Sequence, residues 1–278
     1  MSVILSLSKN SSHLWAAGPE GLFHADDSAL APIPQPQQNL YCCCAIHDRV
    51  LVGGLPHGVA FSLDAGGNWQ AGWMDNVAAP VVCLAADPAV EETGVILAGT
   101  EGAGILRSVD RGRHWFLRNF GLHSFTVLTL TWAPLAPADR WPRWQVAFAG
   151  TEEGVYRTPN GGRGWRRSEG VEDVCQVIAI DRDYHRTGLV LAGTESAGLW
   201  RSSDGGYTFA RVASAPDQIN ALSATAGGWL LSDEKSLWRS ADGEQWEPVP
   251  GSQPALAMLA DGERVWVGTE AGIASVEV

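Results

Sequence analysis

Carboxylates are the residues of this chain best placed to do chemistry, and they recur. Glu20, Glu101, Glu152, Glu195, Glu234 and Glu270 each fall in a short turn between two apolar runs, four of them in the phrase Gly-Thr-Glu. Gathered on one surface, they could recruit a basic protein segment or hold a hard cation. A pair of them at controlled separation could hydrolyse a glycosidic bond. The plainer possibility is that Thr and Glu bond local amides and simply build the turn. A second set obeys the pattern S/T-x-D/N-x-G-x-x-aromatic: Asp64, Asp110, Asn160 and Asp204, with Asp242 in a copy one residue shorter. Here a short carboxyl or amide can bond nearby backbone N–H groups while Gly supplies a positive φ. That chemistry is structural. The cysteines are Cys42, Cys43, Cys44, Cys83 and Cys175. Neighbouring strand residues point to opposite faces, so Cys42 to Cys44 cannot present three ligands together, and no metal or cofactor is expected.

The elements that must position these groups come from internal repetition. The copies GTEGAGILRSVDRGRHW (Gly99 to Trp115), GTEEGVYRTPNGGRGW (Gly150 to Trp165) and GTESAGLWRSSDGGYTF (Gly193 to Phe209) are the clearest. Weaker copies begin near Trp15, Val52, Leu230 and Val267, making seven units of about 40 residues each. Each joins short Val-, Leu-, Trp- and Phe-rich runs through Gly and Pro punctuation, without a long helical period. The expected fold is all-β: one domain over residues 1–278, a seven-bladed propeller of four-stranded antiparallel blades. The last copy reaches Val278 just after its third strand, so the last blade is expected to be incomplete. The fallback is six blades with a loose end. Thirteen Trp in a chain with no predicted helix suit the widening gaps between blades.

The Asp turns resemble the Asp-box, or BNR, repeat of sialidases, xyloglucan-degrading endoglucanases and photosystem II assembly-factor propellers, over nearly the whole chain. The resemblance implies a structural role for Asp64, Asp110, Asn160, Asp204 and Asp242, and no catalytic one. Sialidases carry an Arg-Ile-Pro motif early in the chain, which is missing here; Ile33-Pro34 follows Pro32 instead. Arg107, Arg157, Arg201 and Arg239 hold one equivalent place in four successive units, which suggests a shared packing role, such as stacking on Trp faces, rather than a converging triad. Tyr41 and Tyr184 fall outside this pattern.

Strand parity divides the loops between two faces. The turns joining second to third strands bring the six glutamates to one face, with His57 in the second unit, and Asp173 and Asp217 are expected to join them. On the opposite face an insertion, APLAPADRWPR (Ala133 to Arg143), carries Arg140, Trp141 and Arg143, residue types common in interfaces. The formal charge of −12 opposes nucleic-acid binding. No apolar span reaches membrane-crossing length. The absence of a leader-like N-terminus and an odd cysteine count point to a reducing cytoplasmic setting. The expected function is a non-catalytic protein-interaction or assembly platform, with the glutamates facing a basic partner segment and the Arg140/Trp141/Arg143 loop as a secondary contact surface. The alternative is a carbohydrate-active propeller using Tyr41 and the glutamates.

Overall fold

Short apolar runs between glycine turns become strands because their alternate side chains pack between two neighbouring sheets. The computed structural model describes residues 2–26, 29–56, 58–74, 77–137 and 145–277. Blade 1 comprises β1 (Ser6–Lys9), β2 (Leu14–Gly18), β3 (Gly21–Ala25) and β4 (Leu30–Ile33). Blade 2 comprises β5 (Gln38–Ile46), β6 (Arg49–Leu55), β7 (Val59–Ser62) and β8 (Trp69–Ala71), after which β9 (Trp73–Met74) leaves for the next sheet. Blade 3 is built from β10 (Val81–Ala86), β11 (Ile96–Thr100), β12 (Ile105–Ser108) and β13 (His114–Leu117). Blade 4 follows with β14 (Val127–Trp132), β15 (Ala147–Thr151), β16 (Gly154–Thr158) and β17 (Arg166–Arg167). Blade 5 has β18 (Cys175–Ile180), β19 (Val190–Thr194), β20 (Leu199–Ser202) and β21 (Ala210–Val212). Blade 6 has β22 (Ala221–Thr225), β23 (Gly228–Ser232), β24 (Leu237–Ser240) and β25 (Glu247–Pro248). Blade 7 has β26 (Ala257–Asp261), β27 (Arg264–Thr269) and β28 (Gly272–Glu277), with no fourth strand among the described residues.

Seven blades are present, the last one three-stranded, and the six-bladed fallback falls away. The ring closes without strand exchange. The first strand, β1, pairs with β2 of its own blade, and its far side meets β26 and β27. The Ile4 N–H donates to the Thr269 carbonyl at 3.0 Å, and Lys9 pairs with Asp261 across the same junction. The apolar run Val3 to Leu7 enters the first strand only at Ser6, because Ile4 is spent on this closure contact.

The core lies between blades. One apolar cluster joins Cys42, Leu51 and Phe61 of blade 2 to Val81, Ile96 and Trp115 of blade 3. The next joins Leu97 and Ile105 to Tyr156 and Trp165 of blade 4. Trp15 and Trp115 are wholly buried, as the wedge argument expects. Strand alternation also holds for the cysteines: Cys42 and Cys44 pack toward blade 3, and Cys43 toward blade 1. Burial pushes the Cys43 thiol up to about 12 and the Cys44 thiol to about 11, so both stay protonated at neutral pH.

Two features depart from the expected pattern. Single-turn helices α1 (Val90–Thr93) and α2 (Tyr184–Thr187) occur where no helix is predicted. Each is clasped by an Asp–Thr pair, Thr93 Oγ1 to Asp87 at 2.9 Å and Thr187 Oγ1 to Asp181 at 2.7 Å, and ends on a left-handed glycine. In addition, β9 adds a fifth strand to blade 3, parallel to β13.

Candidate functional site

Four of the six turns bearing the glutamates are held by a threonine, and the Glu234 turn by Asp233, whose Oδ1 accepts the Lys235 and Ser236 N–H groups at 2.7 Å. Thr100 Oγ1 donates to the Gly104 carbonyl at 2.7 Å, and Thr151, Thr194 and Thr269 repeat the bond at 3.0, 2.8 and 3.0 Å. Glu20, Glu101, Glu152, Glu195, Glu234 and Glu270 are all exposed. Among the described residues, none of these six carboxylates has a hydrogen-bond or ion-pair partner. In these four turns the threonine makes the closing bond, and the glutamate beside it takes no part.

The up-and-down order of every blade places these turns on the face where one blade hands over to the next. Backbone contacts agree with this: the Glu101 N–H reaches Pro80 O and the Glu195 N–H reaches Val174 O, both just before inner strands. Asp173 and Asp217 do reach this face, but their charge is spent. Asp173 accepts from the N–H groups of Ser196 and Ala197 at 2.9 and 2.8 Å. Burial favours its neutral form, and these bonds outweigh burial and lower its pKa. Asp217 is paired with Arg211. Lys235, exposed beside Glu234, offsets part of the negative charge of blade 6.

The Asp turns have a different and wholly internal chemistry. In blade 3, Ser108 Oγ donates to Asp110 Oδ1 at 2.8 Å and accepts the Gly112 N–H at 2.8 Å. The same Oδ1 accepts the N–H groups of Arg113 and His114 at 3.1 and 3.0 Å, so the carboxylate reaches three and four residues on. Trp115 Nε1 then closes the turn on the Gly112 carbonyl at 2.9 Å. Asp64, Asp204 and Asp242 repeat the pattern, and Asn160 reproduces it with an amide oxygen. Hydrogen bonds from the Asn68 side chain, the Asn68 N–H and Ser62 hold the Asp64 carboxyl down at about 2. For Asp204 burial pulls upward, but bonds from Thr208, Ser202 and Tyr207 prevail and also leave it at about 2.

Three of the four repeated arginines, those of blades 3, 4 and 5, tie their blade to the Asp turn of the next, whereas Arg239 turns to Glu247 of its own blade at 3.1 Å. Arg107 Nε donates to the Gly161 carbonyl at 2.6 Å and Arg157 Nε to the Gly205 carbonyl at 2.9 Å. Arg201 pairs with Glu244 at 3.1 Å. Burial first, then Arg163 and Arg118, lowers Arg107 to about 10, still charged at neutral pH. Stacking on Trp is not their role; in this series Arg157 alone lies over a ring among the described residues, that of Tyr207, at 4.3 Å. Tyr184 is likewise scaffold, buried in α2 with its hydroxyl on Gly205 O at 2.9 Å. Tyr41 is half-buried on β5. Arg140, Trp141 and Arg143 lie outside the described residues.

One surface group had no signal in the repeat. Trp73, on β9, is 51% exposed, and its ring centroid lies 5.9 Å from those of both His114 and Phe116 on β13. Its place depends on a strand pairing between two units, which single-unit periodicity does not show.

No protein-family model matches the chain, and no curated protein matches it in sequence. Solved structures match its fold. The extracellular domain of a one component system from B. thetaiotaomicron superposes with a TM-score of 0.74 at 17% identity, over 99% of this chain and 38% of that one. The GH74 xyloglucanase from Xanthomonas campestris gives 0.77 at 15%, over 99% of this chain and 52% of that one. YCF48 bound to a D1 peptide gives 0.74 at 16%, over 100% of this chain and 93% of that one. The chain thus spans 38% and 52% of the first two and nearly all of the third. At these identities the likeness is one of fold.

Proposed function

We propose that this propeller is a non-catalytic protein-interaction or assembly platform of a reducing, cytoplasmic compartment, belonging with the Asp-box propellers. Its working surface is the ring of Glu20, Glu101, Glu152, Glu195, Glu234 and Glu270, and its partner presents a basic segment. The observation that carries this reading is the division of labour in the turns: in four of them a threonine holds the backbone, and all six exposed carboxylates remain without internal partners among the described residues. Unpaired charge of one sign on one face focuses potential and speeds capture of an oppositely charged segment. The likeness to YCF48, seen with a bound peptide and matched end to end, supports it by analogy of fold. Five unpaired cysteines support the compartment. The Asp turns, with their recurring Ser/Thr–Asp bond, support the kinship.

A Lys/Arg-rich decapeptide titrated at two salt concentrations tests this reading. Wild type is expected to bind with steep salt dependence. Glu101→Lys, Glu152→Lys and Glu195→Lys together should abolish binding without changing Tm by more than a few degrees. Equal binding by the triple variant would refute the reading.

The carbohydrate alternative draws on one observation, the Trp73–Phe116–His114 group, since exposed rings can stack on sugars. Quenching or enhancement of Trp fluorescence by xyloglucan oligosaccharides, lost in Trp73→Ala, would favour it.

A further inference from the structure

Blade 3 projects beyond its neighbour. It has five strands, β9 included, whereas the outer strand of blade 4, β17, is two residues long. The outermost part of the blade 3 face turned toward blade 4 is therefore left uncovered among the described residues. Register identifies the side chains on that face. Phe116 lies opposite Arg107, whose guanidinium reaches Gly161 of blade 4, and His114, two residues earlier, lies opposite Trp73 of β9. Trp115, between them, points the other way and packs against blade 2. Arg118 continues the series, its guanidinium 6.0 Å from the Phe116 ring centroid.

The wall continues to Phe120, 84% exposed and the most exposed large apolar side chain among the described residues. Its exposure is not looseness. The Phe120 carbonyl accepts the Trp165 N–H at 2.9 Å, Trp165 Nε1 donates to the Arg118 carbonyl at 3.1 Å, and the Phe120 ring lies against Gly164. Large rings held rigid in water mark an interaction surface, since little freedom is lost when a partner covers them. The charge around them is positive. Arg118 and Arg163 are exposed, and each bonds only a backbone carbonyl, of Leu117 and Asn160, at 2.7 Å. Neither has an ion-pair partner among the described residues. After burial, these two cations are what depress the pKa of Arg107 beside them. Two carboxylates come near, and both are committed: Asp110 to its turn and His114, and Asp87, buried, to Thr93 and Gln145. The turn that carries Arg163 also has Asn160 where the other four have Asp64, Asp110, Asp204 and Asp242. A chain of formal charge −12 thus presents here a surface of rings and uncompensated cations.

We propose that this wall binds an acidic segment of another protein, whose apolar side chains enter among Trp73, Phe116 and Phe120 and whose carboxylates meet Arg118 and Arg163. Complementary charge selects the acidic character and speeds the encounter. Aromatic rings and arginines are also the residues that carry most of the energy of protein interfaces. The rings favour a peptide over a sugar. The Trp73 ring is inclined by 57° to His114 and by 60° to Phe116, so the group offers notches for side chains and no common plane for a pyranose. This surface lies on the rim of the ring, takes a partner of opposite charge to that of the glutamate face, and is independent of it.

The test titrates the synthetic decapeptide DELFDELFDE into the whole protein by calorimetry, with KKLFKKLFKK as its counterpart of opposite charge. The acidic peptide is expected to bind one to one, and the basic peptide not to compete with it. Phe120→Ser should weaken binding at least tenfold without moving Tm, because the ring is exposed. Replacing Arg118 and Arg163 by Ala together should also cost tenfold or more, the scale of one charge-assisted hydrogen bond. Asn160→Asp, which installs the residue four other turns already use, should weaken binding severalfold while the blade stays folded. Phe120→Ser should still take up the Lys/Arg-rich decapeptide of the glutamate face, so the two surfaces can fail independently. No uptake of the acidic peptide, or uptake indifferent to the ring and arginine variants, would overturn the proposal. Displacement of the peptide by neutral xyloglucan oligosaccharides would do the same, since the wall would then belong to a sugar. So would a concentration-dependent oligomer that Phe120→Ser dissolves, since the wall would then belong to a second copy.

Discussion

The Asp turns show how one side chain is used for structure while a neighbour of the same charge is left for solvent. Asp64 and Asp204 are held at about 2, and Asp110 and Asp242 are also lowered, each by hydrogen bonds that only the ionised form accepts fully. A folded-state pKa below the unfolded value of about 3.9 gives stability that is present above that value and is lost as pH falls toward 2. Denaturant unfolding midpoints should therefore drop between about pH 4 and pH 2. Asp204→Asn keeps the acceptor geometry that Asn160 already uses in blade 4. At pH 7 the variant should be less stable by no more than ~1 kcal/mol, because the group is exposed and solvent screens it. The difference should shrink toward zero near pH 2. A gap that stays constant with pH would show that the charge of Asp204 contributes nothing. The sequence disclosed the turn type at this scale because its bonds are local, spanning two to four residues.

Between elements, what matters is the partner, and partners are distant in sequence. The arginine series is legible as a repeat, but Arg107 meets a carbonyl 54 residues away and Arg157 one 48 away, so their shared task is not. For the same reason β9 is missed: two residues, Trp73 and Met74, become a strand only because β13 lies alongside. The helices α1 and α2 are too short for periodicity, though the spacing Asp87…Thr93-Gly94, repeated as Asp181…Thr187-Gly188, was a usable signal. The arginines give a paired prediction. Arg107→Ala removes a buried guanidinium and strands the Gly161 carbonyl, and should cost about 2 kcal/mol or more. Arg239→Ala, the same substitution at the same repeat position, should change stability by less than ~0.5 kcal/mol, since its ion pair with Glu247 is exposed. Chemical denaturation of the two variants side by side checks this. Equal costs would mean that the repeat position, and not the turn of the next blade, sets the energy.

For the whole ring the deciding junction is the one between blades 7 and 1. Seven repeats of similar length made a propeller legible in the sequence, but not how its ends meet, because closure rests on single contacts outside the repeated phrase. No strand is exchanged, so blades 1 and 7 hold each other through β1 against β26 and β27. Ile4 is central to that contact: it is fully buried, it donates its N–H to Thr269 O, and its side chain fills the space above Gly268. Gly18 belongs to the same contact, since a Cβ there would collide with the Val3 carbonyl. Truncation by Ile4→Ala should cost about 3 kcal/mol, as for other large-to-small core changes. Its signature should be spatial as well. Amide exchange is expected to accelerate in β1, β26 and β27 before any other junction, because the ring can open there without breaking a strand pairing. Ile105→Ala is the control, equally buried but inside blade 3. It should lose comparable stability while leaving protection at the closing junction in its wild-type order. If both variants instead lost protection uniformly around the ring, closure would be one cooperative unit with the blades, and the seventh junction would have no weakness of its own.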